Sequence, residues 1–303
     1  MPKELPVWRS LMYVPVNVEK YVDKAHTRGA DVIQLDLEDS VPPAEKANAR
    51  KLVEKAAARV RRGGADVVVR INQPLSLAVR DLEHSICPDV NGIACTKIDS
   101  ASHLRLLDEL VTELEEKRGM AVRHTKFIAM IETPQAFTRI DEIPGASDRV
   151  VAINIGGEDF ALNCNMQPTG EALFYPKQRM IIAANAAGVM PLGFIDSVAG
   201  FGDWEAFRKM VRRSRDFGFM GAGCIHPGQV TIVNEEYTPT AAEVEYAQRV
   251  IALDKEAAAS GRGSFSLDGK MIDIPIIVRA QKLIRRFEAI KAREAKTLAA
   301  AAQ

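Results

Sequence analysis

Eight short apolar runs, rich in β-branched residues, recur along the chain with helical stretches between them. They read SLMYVPV from Ser10, DVIQLDLE from Asp31, DVVVRIN from Asp66, GIACTKI from Gly92, KFIAMIET from Lys126, RVVAINIGGED from Arg149, VMPLGFIDS from Val189 and GAGCIHP from Gly221. Near-continuous apolar strands imply burial on both faces, the habit of parallel sheets covered by helices. The intervening segments supply those helices. Leu104, Leu107, Leu110 and Leu114 fall at helical spacing before the stop at Gly119. Asp203 is placed to cap a helix whose Trp204, Phe207, Met210 and Val211 form an apolar stripe ending near Gly218. Alternation of strand and helix eight times within roughly 230 residues matches a (β/α)8 TIM barrel. A doubly wound open sheet gives a similar alternation, and the count favours the barrel.

Beyond residue 235 the rhythm changes. Thr240 and Glu243 form a capping box for a helix running to about Ser260. GRGSFSLDGKMID then reads as a polar, Gly-rich loop, IPIIVRAQKLIRRFEAI as a second helix and KTLAAAAQ as a fraying end. The expected organisation is an α/β chain with a catalytic barrel over residues 1–235 and a helix-loop-helix extension carrying a lid over residues 236–303. No internal repeat or low-complexity linker interrupts it.

In a barrel of this kind the reactive groups gather at the C-terminal ends of the strands, where the βα loops form the open mouth. With a period of two, Asp36 and Glu38 point to one side of the second strand, away from Leu35 and Leu37. The third strand ends in Arg70 and Asn72, the fourth in Lys97, the fifth in Glu132, the sixth in Glu158 and Asp159, the seventh in Asp196 and the eighth in His226. Any one of these alone is most simply a polar loop residue. Asp39 and Ser40 read as caps for a helix beginning near Pro42 and Pro43, and His226 before Pro227 as a residue that shapes the last loop.

Convergence changes that reading. Carboxylates sharing a concave site repel one another unless protons or a cation intervene. Arg70 and Lys97 are too few to neutralise Asp36, Glu38, Glu132, Glu158 and Asp159. Oxygen donors without clustered His or Cys point to Mg²⁺ or Mn²⁺ rather than zinc. Glu132 and Asp159, from adjacent strands, are the expected metal ligands, with Asp36, Glu38 and Glu158 orienting waters or neighbouring side chains. Lys97 reads as an ionised partner of these acids, with a normal or raised pKa, rather than a Schiff-base nucleophile.

The totals add exclusions. Forty basic and forty acidic side chains cancel, which leaves no electrostatic footprint for nucleic acid or an anionic membrane. No stretch approaches 18 uninterrupted apolar residues and no signal peptide is expected. Cys87, Cys95, Cys164 and Cys224 lack a CxxC pair and read as reduced thiols of a cytoplasmic protein.

Seven segments in register, RSLMYVPV, DLEDSVPPAEKANAR, VVVRIN, IETPQAF, GGEDF, GCIHPGQV and GKMIDIP, span residues 9 to about 290 and together resemble the HpcH/HpaI aldolase and citrate lyase family. The closer likeness is to citrate lyase β-subunit-like and malyl-CoA or citramalyl-CoA lyase proteins. That resemblance implies a TIM barrel that makes or breaks a carbon–carbon bond between a 2-oxo acid and a coenzyme A or carrier-protein thioester, using Mg²⁺. It implies Glu132 and Asp159 as metal ligands, Arg70 as the grip on the 2-oxo acid, and Asp273 of GKMIDIP as an acid/base. In related lyases such an acid is delivered by the C-terminal segment over a neighbouring subunit's site, so a homo-oligomer, trimer or hexamer, is implied. Asp273 read by itself is equally a helix N-cap.

Arg9, Lys20 and Lys24 are the expected contacts for the coenzyme A phosphates. Val16 stands where relatives commonly show Gly after the Pro of this loop, and PLGFIDSVAGFGD differs from the usual seventh loop. The expected activity is cleavage of a 3-hydroxyacyl-CoA such as malyl-, methylmalyl- or citramalyl-CoA. The alternatives are a thioester hydrolase on the same site, a metal-dependent aldolase of a hydroxy acid without coenzyme A, and a non-catalytic barrel.

Overall fold

The computed structural model describes residues 4–196, 202–259 and 263–301. All eight expected strands form, as one parallel sheet: β1 (Ser10–Pro15), β2 (Val32–Asp36), β3 (Asp66–Arg70), β4 (Gly92–Cys95), β5 (Lys126–Ile131), β6 (Val150–Ile155), β7 (Met190–Leu192) and β8 (Ala222–Cys224). Neighbours follow chain order from β1 to β7, and β8 returns to pair with β1. A bridge between Leu192 and Gly221, with the Gly193 N–H donating to the Gly221 carbonyl at 2.8 Å, joins the two free edges. The sheet closes, which decides for the barrel over an open doubly wound sheet.

The helices of this unit are α1 (Glu19–Ala25), α2 (Lys46–Arg50), α3 (Val53–Val60), α4 (Leu75–Ser85), α5 (Ala101–Lys117), α6 (Pro134–Phe137), α7 (Gly157–Asn163), α8 (Gly170–Ala187), α9 (Trp204–Phe217) and α10 (Pro227–Glu236). Their ends follow local chemistry. The Ser100 side chain accepts from the His103 N–H to open α5. Asp203 opens α9 by accepting from the Glu205 and Ala206 N–H groups, and Gly218 closes it in the left-handed conformation at φ 114°. Phe207 and Val211 are the buried part of the α9 stripe, whereas Trp204 remains 39% exposed.

Strand alternation sorts the sheet into two cores. Ile33, Leu35, Val67 and Val69 face the helices, while Val32, Val68, Ile128 and Met130 fill the barrel interior above Trp8. Continuing the same inward rows toward the C-terminal ends gives Gln34 and Asp36 after Val32, Arg70 after Val68, and Glu132 after Met130. The floor is apolar and the mouth is charged for one geometric reason, the period of two.

A second compact unit begins at Thr238. It contains α11 (Ala241–Ala259), β9 (Phe265–Leu267), β10 (Lys270–Ile272) and α12 (Ile274–Ala301). The Thr240–Glu243 capping box is present, with Glu243 N donating to Thr240 Oγ1 at 3.2 Å and Thr240 N to Glu243 Oε2 at 2.7 Å. Within the segment expected to be a loop, β9 and β10 form an antiparallel hairpin, and residues 261–262 of that segment lie outside the described residues. Asp268 and Gly269 both take positive φ, 51° and 76°, as a tight two-residue hairpin turn requires. Ala247, Val250, Leu267, Ile272, Ile277 and Ala280 pack together, so the hairpin has a core of its own. The end expected to fray continues as helix to Ala301.

No helix among the described residues is long and apolar enough to cross a membrane. All four cysteines are free, and three are buried.

Candidate active site

The parallel register of β2 and β3 sets Asp36 opposite Arg70. Their side chains form a forked pair: Arg70 Nε donates to Asp36 Oδ1 at 2.7 Å and Nη2 to Oδ2 at 2.8 Å. Asp36 also accepts from Ser40 Oγ at 2.5 Å and from the Glu38 N–H at 3.0 Å. Burial works against its charge, but Arg70 and these further donors outweigh it and hold the carboxyl below its ordinary range. Ser40, expected from sequence to cap a helix, instead buttresses Asp36.

Arg70 Nη1 reaches Glu38 Oε2 at 2.9 Å and Asp39 Oδ2 at 3.1 Å. Its guanidinium carbon Cζ lies 4.9 Å from the Tyr13 ring centroid. One expectation needs correction here: the two parallel donors of Arg70 are taken by Asp36, and the edge left toward the cavity is the one that meets Asp39, itself 60% exposed. Asn72, expected beside Arg70 at the mouth, is buried against Asp81 and the Leu37 carbonyl and braces the loop from below.

Lys97 sits at φ 48°, a left-handed backbone that presents its N–H to Glu132 Oε2 at 2.7 Å. Its ammonium is 2.7 Å from Glu38 Oε1 and 3.6 Å from Asp159 Oδ1. Burial would lower its pKa, but Glu38, Glu132 and Asp159 raise it, so Lys97 is a fixed cation, as expected. Glu38, Glu132 and Asp159 thus surround one lysine.

Glu132 is 2% exposed. Burial first, then the Glu38 charge, pushes its carboxyl up to about 7 against the pull of Lys97, with Asp159 adding to the rise. Gly156, between β6 and α7, leaves room for it. A Cβ at that position would lie 2.5 Å from Glu132 Oε1. Asp159 and Glu158 belong to the first turn of α7 rather than to the end of β6.

These groups open into a cavity of about 900 Å³ lined by Tyr13, Arg70, Glu132, Asp159, Lys177 and Asp196. Among the described residues no group of three or more His, Cys, Asp and Glu side chains is arranged to hold a metal. The donor set is instead two carboxylates with open positions beside them. A carboxylate raised to about 7 by burial first and by its acidic neighbours after that lacks a compensating positive charge, and a hard divalent cation between Glu132 and Asp159 fits it.

Of the expected coenzyme A contacts, Lys24 lines the rim of this cavity and Lys20 is exposed on the same helix. Arg9 does not join them. It lies 4% exposed just before β1, at the N-terminal end of the strands, with Nε and Nη2 each 2.9 Å from the Asp31 carboxylate. A pre-strand residue cannot reach the opposite end of a barrel, and Arg28, which sequence reasoning passed over, is the second cation at the rim. Val16 is buried in the core. Residues 197–201 of the unusual seventh loop lie outside the described residues.

His226 caps α10, its Nδ1 accepting from the Gly228 N–H at 3.0 Å while the Gln229 side chain answers at the His226 N–H. The structural role expected for it holds. Asp273 lies in the second unit, exposed, and its carbonyl accepts the first N–H groups of α12, from Ile276 and Ile277 at 3.1 Å. Tyr13 and Lys177 were missed by sequence reasoning. Both had signals: Tyr13 is an inward position of β1, and Lys177 interrupts the buried row Leu173, Met180 and Ala184 of α8.

Residues 9–227 match the model of the HpcH/HpaI aldolase/citrate lyase family. The chain belongs to this family. It is 34% identical to the citrate lyase subunit beta of Leuconostoc mesenteroides subsp. cremoris over 91% of this chain and 92% of that one. It is 30% identical to an L-malyl-CoA/beta-methylmalyl-CoA lyase of Cereibacter sphaeroides over 94% and 96%. CitE from Mycobacterium tuberculosis, solved in complex with magnesium, acetoacetate and coenzyme A, superposes with a TM-score of 0.70 at 25% identity, covering 94% of this chain and 99% of that one. With relatives of this kind matched along nearly their whole length, the chain is an enzyme, a lyase of the citrate lyase β-subunit-like branch.

Proposed function

We propose that the chain is a Mg²⁺-dependent carbon–carbon lyase that splits a 3-hydroxyacyl-CoA, of the malyl-, methylmalyl- or citramalyl-CoA kind, into an acyl-CoA and a 2-oxo acid. The observation that carries this reading is the buried Glu132 carboxylate, crowded by Glu38 and Asp159 and cradled by Gly156. Glu132 and Asp159 would hold the cation. When bound, it supplies Lewis acidity at the oxygen that becomes the keto group.

The chain's own residues divide the remaining work. Arg70, locked by Asp36 and backed by Tyr13, offers its outer edge to the carboxylate of the 2-oxo acid, in place of the exposed Asp39. Lys97 balances the acids without donating its proton, because its pKa is raised. Lys24 and Arg28 at the rim are suited to the coenzyme A phosphates. Asp273 is assigned the proton transfers, with the extension of one subunit serving the barrel of another in a homo-oligomer.

The test is to incubate the protein with malyl-CoA or citramalyl-CoA and Mg²⁺ and to identify the products. A free 2-oxo acid with an acyl-CoA is expected. Free hydroxy acid with free coenzyme A would make the protein a hydrolase and overturn the reading.

Gly156→Ala gives a second check. Its φ of −71° suits alanine, so the substitution acts through the methyl group displacing Glu132. Mg²⁺ affinity, read by calorimetry, is expected to fall about 10–100-fold, the range for disturbing a ligand's support.

A further inference from the structure

We propose that Lys177 is a catalytic residue whose ammonium donates a hydrogen bond to the carbonyl oxygen of the substrate thioester and stabilises that oxygen as it becomes an enolate oxygen. The proposal rests on the lyase reading and adds a component that reading lacks. In cleavage the substrate hydroxyl gives its proton to a base, the carbon–carbon bond breaks, and its electron pair moves toward the thioester carbonyl. A proton returned to the α-carbon then completes the acyl-CoA. Charge peaks on the thioester oxygen, and a donor fixed there in advance is worth most.

Lys177 has the placement such a donor needs. It projects from α8, is 6% exposed, and lines the same cavity as Glu132 and Asp159. The other deep cations are occupied by acids: Arg70 by Asp36, Glu38 and Asp39, and Lys97 by Glu38 and Asp159. Lys177 Nζ instead bonds a main-chain oxygen, that of Asp196 at 3.2 Å. An ammonium carries three N–H donors, and among the described residues one of them is used, which leaves two for a ligand.

The wall it occupies also fits. Arg70, Glu132 and Asp159 commit the β3 to β6 side of the mouth to the 2-oxo acid, which leaves the β7 side to the thioester. The charged groups that face Lys177 are Asp196, after β7, and Glu158, on α7. Their attraction does not overcome burial, which brings the ammonium down to about 8. An oxygen gaining negative charge beside it restores what burial removed.

The experiment follows exchange of the acetyl-CoA α-hydrogens in D₂O by NMR, with Mg²⁺ and oxalate as a stable mimic of the 2-oxo acid. Malyl-CoA cleavage and calorimetric oxalate binding are measured alongside. Lys177→Met is expected to lower exchange and kcat on the order of 10²- to 10³-fold with oxalate affinity unchanged. Lys177→Arg is expected to recover part of the rate and to lack the decline above pH about 8 that is expected of wild type, since a guanidinium keeps its proton.

Wild-type exchange in Lys177→Met would overturn the proposal while leaving the lyase reading intact. Should the methionine variant not fold, identical basic limbs in wild type and Lys177→Arg would overturn it equally. A wild-type protein that neither exchanges nor cleaves refutes the lyase reading, and this inference with it.

Discussion

Asp159→Ala is expected to lower Mg²⁺-dependent cleavage on the order of 10³-fold while leaving the fold intact. The size follows from losing one of two protein ligands to the cation, several kcal/mol of charge stabilisation at the reacting oxygen, with each 1.36 kcal/mol worth about tenfold. The selectivity follows from position. The Asp159 side chain is 34% exposed, and its ion pair is a 3.6 Å contact with Lys97, which keeps Glu38 at 2.7 Å. Its removal opens no cavity and strands no buried charge. Unchanged unfolding midpoints and far-UV circular dichroism, with turnover still lowered on the order of 10³-fold at saturating substrate and saturating Mg²⁺, is the expected pattern. Turnover within tenfold of wild type would remove Asp159 from the metal site.

Glu132→Gln is expected to act in the opposite sense on stability. The carboxyl of Glu132 lies near 7 in the folded chain, against an ordinary 4.5. The folded state therefore binds the proton more tightly than the unfolded state does. Stability owed to this group is fully present below about pH 4.5 and is lost as pH rises toward 7. At about 1.36 kcal/mol per unit, the loss is about 3 kcal/mol for the metal-free protein. Glutamine keeps the shape and an oxygen for the Lys97 N–H, and carries no charge.

Metal-free Glu132→Gln should thus be more stable than wild type by about 2–3 kcal/mol at pH 8, with the advantage vanishing near pH 4.5. Urea unfolding across that range reads the difference, which cancels the titration of other groups. Added Mg²⁺ should stabilise wild type and not the variant. Equal stability of the two proteins at pH 8, or equal stabilisation by Mg²⁺, would contradict the crowded-carboxylate description of the site.

The barrel was legible because burial on both faces writes each strand as an apolar run, and the period of two then carries one inward row from Val32 to Asp36 and another from Val68 to Arg70. Glu132 ends a third such row after Met130, whereas Lys97 lies in the loop after β4 and Asp159 in the first turn of α7. Other features depend on strand direction or register, or carry a fainter signature. Arg9 sits beside β1 in sequence, as a mouth residue would, but on the wrong end of it, and strand direction rather than proximity decides which face a residue serves. That Asp36 holds the fork of Arg70 depends on the register of β2 against β3, which nothing local to either residue shows. Lys177 was hidden in a helix, where one lysine among Leu173, Met180 and Ala184 passes for a solvated position. The hairpin at Asp268 and Gly269 lies in a polar, Gly-rich stretch that reads as a loop, although an Asp-Gly pair between short apolar strands is itself a turn signal.

The most direct test of the central claim is anomalous diffraction from a crystal grown with Mn²⁺ and oxalate. A single anomalous peak is expected within about 2.2 Å of one carboxylate oxygen each from Glu132 and Asp159, with oxalate completing its coordination beside Arg70. A peak elsewhere in the cavity, or those two side chains turned apart with no scatterer between them, would contradict it.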